Sequence, residues 1–302
     1  MFAENRLGRF NNLRIFLTYG FLCMLGLIFL FPIVFMIVSS FKPDLQLLRD
    51  TNSLLAFVPY GELSLNNYRE AFIRVPVLRF IFNSIIVTAI TVLFSLVVNS
   101  MAGFALSVLR WKGRSLVLTV IIATFIVPFE TVAIPLLLVV SKLPMLDFMA
   151  YSEGGELLRW SWMNTYHVQI IPFIASAFSI FLFVQFFSAL PRDLFEAARI
   201  DGASWWQIYR SVVVPLSGPV FATVAILNFL PMWNQYLWPI MVVQSEELRP
   251  IMVGVAYFFQ LGDVAWGEIM AYLTIITLPV LAFFLSLQRA FIESIANSGV
   301  KG

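Results

Sequence analysis

The chain has 302 residues, of which 60% are hydrophobic and only 12% are charged. Soluble domains contain roughly 45–50% apolar and about 25% charged residues, so this composition excludes an ordinary soluble fold and favours a polytopic membrane protein. The net charge of +2 is too small to indicate a nucleic-acid partner, and the single cysteine, Cys23, excludes an internal disulfide and a thiolate metal cluster.

Six charge-poor apolar runs are long enough to form membrane-spanning helices, which need about 20 residues each. The first run lacks a cleavage site and is too long for a secretory signal, so we interpret it as a retained span. We predict an all-α protein with six transmembrane helices that forms one domain over residues 1–302. The six runs cover residues 15–41, 80–109, 115–141, 168–190, 211–245 and 269–288.

Basic residues in the connections predict the orientation in the membrane. The two tails, the second-to-third connection and the fourth-to-fifth connection together hold eleven basic and five acidic residues, whereas the other connections hold eight basic and eleven acidic ones. Short loops rich in Lys and Arg stay on the cytoplasmic side, so we predict that both termini are cytoplasmic. The connection over residues 42–79 carries five of the eight outer basic residues, but long loops with interspersed acids still translocate.

The fifth run, over residues 211–245, is too long for one straight span. As a single helix it would measure about 52 Å, against a hydrocarbon core of about 30 Å. It contains Pro215, Pro219, Pro231 and Pro239. Irregular backbone at membrane depth occurs where protein or a water-filled cavity satisfies it. We therefore predict a cytoplasmic approach, a kinked span and an outer re-entrant or surface part, with a translocation path near Pro231 to Pro239.

The connection over about residues 190–215 has the pattern of two short helices joined by a turn. Pro191 can open the first helix, and Gly202 can end it in the left-handed conformation. Ser204 can cap the second helix, with Gln207 at the capping-box position. One face of that second helix, at helical spacing, would hold Trp205, Ile208 and Val212.

This connection resembles the EAA loop of ABC importer permeases. Its pattern, Glu-Ala-Ala-x-x-Asp-Gly-Ala followed by Pro-Leu-x-x-Pro, is similar to the carbohydrate-uptake branch that includes the maltose permeases. In that family the loop is the coupling helix, which docks in a groove on the nucleotide-binding subunit. The resemblance implies a type I ABC importer permease fold. It assigns ATPase coupling to Glu196, Ala197, Ala198, Asp201, Gly202 and Pro215.

The resemblance extends from this loop to the last residue. The run Trp233-Asn-Gln-Tyr-Leu-Trp238-Pro239 resembles the Trp-Asn-x-x-x-Trp-Pro element of the same branch. The last five residues are similar to the end of the maltose-type second permease, which inserts between two ATPase subunits. This likeness implies an ATPase-interface role for Gly299 and Lys301. The connection over residues 145–162 is long for the family, so no contact is carried over to it.

Two groups of residues are candidates for the substrate path. Glu130 is the one ionisable residue deep in an apolar run, and such acids usually face a cavity or a partner. It would either bind substrate hydroxyls or be satisfied by backbone N–H groups or a partner subunit at a proline-broken helix. The second group suits sugars, because aromatic faces stack on sugar rings and amides bind hydroxyls. Its members, which could instead form an interfacial aromatic belt, are Trp233, Asn234, Gln235, Tyr236 and Trp238.

The sequence contains no Gly-x-x-x-x-Gly-Lys-Ser/Thr motif, so ATP and Mg²⁺ are expected on a separate ATPase and no cofactor or metal in this chain. We predict a non-enzymatic transport subunit in the bacterial cytoplasmic (inner) membrane. Its expected partners are a related second permease, an ATPase dimer, an extracytoplasmic solute-binding protein and a sugar or oligosaccharide substrate.

Other functions are less consistent with the sequence. Another small polar solute, such as glycerol phosphate, is the alternative substrate. A secondary transporter would have several charged or broken-helix sites in its spans, whereas Glu130 is alone. An intramembrane enzyme would need a cluster of catalytic polar residues in the spans, and a structural anchor would not need the Glu196 segment.

Overall fold

The computed structural model describes residues 2–146, 152, 158–259 and 264–299, and side chains only between residues 14 and 288. Within that part the protein is helical, which confirms the predicted class. The exception is a small antiparallel hairpin in the connection over residues 145–162, where β1 (Met145–Leu146) pairs with β2 (Leu158–Arg159).

The first half of the chain contains several helices, and the third apolar run is divided between two of them. They are α1 (Phe2–Ser39), α2 (Asp44–Asp50), α3 (Asn66–Arg74), α4 (Val77–Ser107), α5 (Arg114–Phe125) and α6 (Phe129–Val140). The second half has more breaks. It contains α7 (Tyr166–Ile170), α8 (Ala177–Ser188), α9 (Arg192–Ile200), α10 (Trp205–Ile208), α11 (Val214–Leu216), α12 (Gly218–Trp233), α13 (Leu237–Val242) and α14 (Trp266–Gly299).

Three of the described helices are long and apolar enough to cross a membrane unaided: residues 14–39 of α1, the whole of α4, and residues 266–288 of α14. Three bent pairs raise the number to six if each pair is one span. These pairs are α5 with α6, Tyr166–Phe173 with α8, and Trp205–Leu216 with α12, bent by 100°, 41° and 79°. The six-span topology therefore stays a prediction.

The third apolar run is not the continuous helix that its composition suggests. The backbone turns by 100° between Phe125 and Phe129. Pro128 stands at this break with extended backbone angles (φ −62°, ψ 141°). Proline has no N–H to donate and disfavours helical backbone in the residue before it, so α5 ends before Pro128 and α6 starts after it.

The chain divides into two compact units, residues 1–75 with 255–277 and residues 76–254 with 278–302. In the first unit, the connection after α1 is held by a buried ion pair: Lys42 Nζ lies 3.1 Å from Asp50 Oδ2 and donates to the Leu55 carbonyl at 2.6 Å. Lys42 and Asp50 are 1% and 2% exposed. The prediction of a single domain over residues 1–302 is left untested by this division.

In the second unit, α4 packs against α8 and α12. The two helices come close together at Gly103, where an added Cβ would lie 2.5 Å from the Cβ of Phe183. Small residues let membrane helices approach closely and gain van der Waals contact. Glycine is therefore required at this position for packing rather than for backbone conformation.

We expect Gly103→Ala to lower the free energy of unfolding by about 1–3 kcal/mol, because the new methyl group must push the two helices apart. Thermal unfolding of the purified protein in detergent measures the effect. Gly26→Ala in α1 is the matched control, since no atom lies within 4 Å of its added Cβ. Equal melting temperatures for the two variants would contradict the close approach.

Candidate coupling segment and substrate path

The first helix of the predicted coupling segment ends as the sequence indicates. Pro191 precedes α9, and Gly202 has φ +83°. The Gly202 N–H donates to the Arg199 carbonyl at 3.1 Å, and the Ala203 N–H donates to the Ala198 carbonyl at 2.9 Å. This pair of bonds is a Schellman motif, which satisfies the last carbonyls of a helix. The predicted left-handed cap at Gly202 is confirmed.

The second helix begins with the predicted capping box. The Ser204 hydroxyl accepts from the Gln207 N–H at 3.3 Å, and the Gln207 Oε1 accepts from the Ser204 N–H at 2.7 Å. These two reciprocal bonds satisfy donors that the first turn would otherwise leave open. The start of α10 is therefore fixed by residues 204–207 alone.

The three residues predicted on one face of this second helix, Trp205, Ile208 and Val212, are not buried alike. After four residues α10 passes into a π-helical turn, Tyr209–Val213. A π turn contains an extra residue, which shifts the inward face by one position. The fully buried residues are consequently Ile208, Tyr209 and Val213, with Val212 only partly buried. Trp205 is 42% exposed, and the Arg199 guanidinium lies over its ring at 5.1 Å.

The inner face of α9 attaches the segment to the bundle. Phe195 is 8% exposed and belongs to a cluster that includes Phe183 and Phe187 of α8. Ala198 is partly buried and also packs against this cluster, and its place in the docking ridge stays a prediction. The residues of the predicted docking set that are exposed on α9 and its turn are Glu196, Ala197, Asp201 and Gly202.

Tyr209 connects the segment to α4. Its hydroxyl lies 2.7 Å from Ser100 Oγ, and its ring lies 5.4 Å from that of Phe104. The Ser100 hydroxyl hydrogen is already donated to the Val97 carbonyl at 3.1 Å. Because a serine has one hydroxyl proton, Tyr209 is the donor to Ser100. Tyr209 thus holds the π turn after α10 in contact with α4.

Pro215 and the bend that follows join the segment to α12. Pro215 is exposed in the short α11, and the chain turns by 79° before α12 begins at Gly218. The Ser217 hydroxyl donates to the Val213 carbonyl at 2.6 Å inside the protein, which holds the corner. The fifth run is therefore broken at this corner before α12, and Pro231 lies within α12. The cytoplasmic approach and the translocation path near Pro231 to Pro239 stay predictions.

A stripe of buried polar residues along α4 was not identified from the sequence. Ser95 Oγ accepts from Asn99 Nδ2 at 2.6 Å and from Asn228 Nδ2 of α12 at 2.9 Å. Asn99 also donates to the Ile174 carbonyl at 3.0 Å. The signal available in the sequence was that polar residues recur every three or four positions in an otherwise apolar span, which indicates one face of a helix. The stripe consists of Ser84, Thr88, Thr91, Ser95 and Asn99, each at most 2% exposed.

The aromatic and amide element after α12 is partly buried. Trp233 is 1% exposed and stacks on Phe229, and Trp238 is fully buried, with its Nε1 donating to the Val168 carbonyl at 2.8 Å. Both tryptophan rings pack against protein in this conformation. Between them, Asn234 and Tyr236 are exposed and Gln235 is half-buried. Their roles in binding a sugar stay predictions.

The start of α6 meets the Trp238 end of this element. The Phe129 ring lies edge-on to that of Trp238 at 5.8 Å, and Glu130 follows it in the exposed first turn of the helix. A carboxylate in a first turn interacts favourably with the helix dipole. This placement gives a structural reason for an acid at the start of a helix that follows a proline break. The role of Glu130 on the substrate path stays a prediction.

Residues 99–297 match the family described as binding-protein-dependent transport system inner membrane component. The chain belongs to this family. It is therefore a multi-pass membrane subunit of a transport system, a permease of the ABC importer type.

Similar proteins cover almost all of the permease. It is 31% identical over 287 residues to the arabinooligosaccharides transport system permease AraQ of Halalkalibacterium halodurans, covering 95% of this chain and 96% of the relative. It is 31% identical over 280 residues to the lactose permease LacG of Rhizobium radiobacter (93% and 94%). It is 29% identical over 279 residues to the sn-glycerol-3-phosphate permease UgpE of Salmonella choleraesuis (90% and 92%).

A solved structure supports the fold of the permease. A chain of a bacterial ABC transporter involved in the import of the acidic polysaccharide alginate superposes with a TM-score of 0.73. The superposition covers 92% of this permease and 97% of that chain, at 22% identity. The predicted ABC importer permease fold is confirmed at this level.

The remaining predicted contacts of the permease lie at its C-terminus. Helix α14 ends at Gly299, and Lys301 lies outside the described residues.

Among the residues that the structure describes, no group of three or more His, Cys, Asp or Glu side chains could hold a metal ion.

Proposed function

We propose that this permease imports a sugar or oligosaccharide across the bacterial cytoplasmic membrane, coupled to ATP hydrolysis on a separate subunit. One observation carries the proposal most directly. An exposed ridge with Glu196 at its centre is attached by Phe195 to the bundle, closed by the Schellman turn at Gly202, and joined through Tyr209 to α4. Such a segment can transmit a force applied at the exposed ridge to the membrane-spanning helices.

The proposed assembly has a type I importer architecture. A related second permease supplies a second coupling segment, and an ATPase dimer binds ATP and Mg²⁺, so this chain needs no cofactor. An extracytoplasmic solute-binding protein delivers the substrate. We place both termini in the cytoplasm, with Gly299 and Lys301 reaching the ATPase dimer.

The mechanism follows the contacts of α9. Closure of the ATPase dimer displaces the ridge, and Phe195 transmits this movement to α8 while Tyr209 transmits it to α4. The corner at Ser217 passes it to α12, which leads to Trp233. The cavity wall near the end of α12 then moves, and the substrate path switches from inward-facing to outward-facing.

A sugar fits the proposed path better than glycerol phosphate does. The path elements, residues 128–135 and 229–239, contain one acid, Glu130, and no Lys or Arg. A phosphate group is normally bound by Arg, Lys or several N–H donors. Hydroxyl groups need mixed donors and acceptors, which Asn234 and Tyr236 provide from exposed positions. The relatives named as permeases for arabinooligosaccharides and lactose agree with the assignment of a sugar. Because the UgpE relative is named as a glycerol-3-phosphate permease, that substrate must be tested as well.

The test is uptake by vesicles that contain the permease with its second permease, ATPase and binding protein. We expect ATP-dependent uptake of a labelled oligosaccharide and no uptake of glycerol 3-phosphate. Removing the aromatic and amide groups with Tyr236→Ala or Asn234→Ala should lower sugar uptake about five- to tenfold each. Leu237→Ala is the matched control, because Leu237 is exposed on the same element but apolar. Uptake of glycerol 3-phosphate alone would overturn the sugar assignment.

A further inference from the structure

A cleft of about 740 Å³ lies beside the coupling segment and shares Phe195 and Glu196 with it. Its walls are the end of α4, the α4–α5 connection with the start of α5, the end of α8, and α9 with Trp205. Four arginines line it, one from the α4–α5 connection, one from the start of α5 and two from α9, and Glu196 is the one acid among the lining residues. The arginines are Arg110, Arg114, Arg192 and Arg199.

The positive charge of this arginine cleft exceeds the negative charge in its lining. In the part of the chain that the structure describes, the ion pairs within 4.0 Å involve none of the four arginines. Arg114 donates to the Ser107 and Leu109 carbonyls at 3.4 and 3.0 Å, which fixes its position without neutralising it. Arg110 and Arg192 are exposed at the rim. Four cations and one acid leave a net charge of +3 in the lining.

The inner wall of the arginine cleft is apolar, with Leu106 and Phe187 among its buried members. Helix α5 leads away from the cleft and buries none of its residues. It exposes large apolar side chains, with Leu116 at 68% and Val120 at 56%. A ligand with an anionic head and an apolar tail would therefore contact the arginines and α5 at the same time.

We propose that the arginine cleft binds the phosphate-bearing headgroup of an anionic phospholipid from the cytoplasmic leaflet. Basic pockets between helices on the cytoplasmic side suit such headgroups, and the guanidinium fork matches phosphate oxygens in a bidentate fashion. The acyl chains lie along α5. The choice of leaflet rests on the proposed orientation of the permease. A bound lipid joins the α4–α5 connection to α9, the helix proposed to couple to the ATPase.

Native mass spectrometry of the assembled importer, purified in neutral detergent, tests lipid binding without measuring transport. We expect retention of phosphatidylglycerol and little retention of phosphatidylcholine. In the double variant Arg110→Gln/Arg192→Gln, phosphatidylglycerol should bind about thirty-fold more weakly, from about 1 kcal/mol per basic residue and a factor of ten per 1.4 kcal/mol. The control double variant Lys112→Gln/Arg210→Gln removes the same charge from exposed residues outside the lining, and should bind normally.

Each other outcome has a defined meaning. Equal retention of the two lipids, or equal weakening in the control variant, would overturn the proposal, because the arginine cleft would then give no specificity. Unchanged phosphatidylglycerol binding in Arg110→Gln/Arg192→Gln would also overturn it, because the lipid would then be held somewhere other than the arginine cleft. Displacement of the lipid by millimolar inorganic phosphate would assign the site to free phosphate and overturn the lipid assignment. A failed sugar-uptake experiment would leave these binding results standing.

Discussion

Importer complexes that carry Glu196→Lys are expected to lose ATP-dependent uptake, falling at least about tenfold towards the level of vesicles without ATP. Glu196 is exposed on the ridge, and reversing its charge alters the docking surface without touching the protein core. A groove that accepts the Glu196 carboxylate would meet a charge of the wrong sign, and an unfavourable charge pair at an interface costs several kcal/mol, which is enough to release the ATPase from the segment. Glu196→Gln keeps the shape and removes the charge, so an intermediate loss is expected.

Gly202→Pro should have the same effect for a conformational reason. Gly202 has φ +83°, whereas proline fixes φ near about −65° and cannot supply the N–H that Gly202 donates to Arg199. Gly202→Ala is milder, since no atom lies within 4 Å of the added Cβ and only the left-handed backbone costs about 1–2 kcal/mol. We therefore expect a graded series in uptake, from wild type through alanine to proline.

Vesicle uptake and ATP hydrolysis, measured on the same preparations, separate lost coupling from lost folding. Glu62→Lys is the matched control, because it makes the same charge reversal at an exposed position on the connection after α1. It should retain uptake. Wild-type uptake in either Glu196→Lys or Gly202→Pro would refute the coupling assignment, whatever the substrate is.

Features fixed by neighbouring residues could be predicted from the sequence. The capping box depends on Ser204 and Gln207, three residues apart, and the left-handed cap depends on Gly202 itself. The long apolar runs likewise predicted that the protein is helical. Caps and turns of this kind are determined within one helical turn, so packing elsewhere in the chain does not change them.

Features that depend on packing against residues distant in the chain could not be predicted from the sequence. The α-helical period predicted Trp205, Ile208 and Val212 on one face, but the π turn at Tyr209–Val213 exposes Trp205 and buries Val213. That turn places the Tyr209 hydroxyl on Ser100, which is 109 residues away in the chain. The burial of Trp238 likewise depends on Phe129 and Val168 from other elements. No local pattern encodes these partners.

The buried ion pair of the first unit gives the second large effect. By sequence, Lys42 was one of the basic residues of an outer connection, yet its side chain is 1% exposed and donates to Asp50 and to the Leu55 carbonyl. Removing one partner of a buried pair leaves an uncompensated charge, which is strongly destabilising. We expect Lys42→Met to lower the melting temperature of the protein by on the order of 5 °C.

Two further variants separate pairing from packing. Arg49→Met removes the other cation near Asp50, at 3.6 Å, but Arg49 is 72% exposed and its loss should matter little. In Lys42→Met/Asp50→Leu both charges are gone, and most of the lost stability should return, because apolar replacement of a whole buried pair is often neutral. If the double variant melted no higher than Lys42→Met, the unpaired Asp50 carboxylate would not be the cause.

The same pair predicts a pH dependence with a definite sign. The hydrogen bond from Lys42 holds the pKa of Asp50 below its ordinary value of 3.8. A carboxyl group with a lowered pKa in the folded state adds stability above its unfolded pKa, and this stability disappears as the pH falls through the folded value. The difference in melting temperature between wild type and Lys42→Met should therefore be constant from about pH 8 to about pH 5 and should shrink below about pH 4. A difference that stayed constant under acid would show that the Lys42 side chain acts by packing alone, since protonation of Asp50 removes the charge with which it pairs.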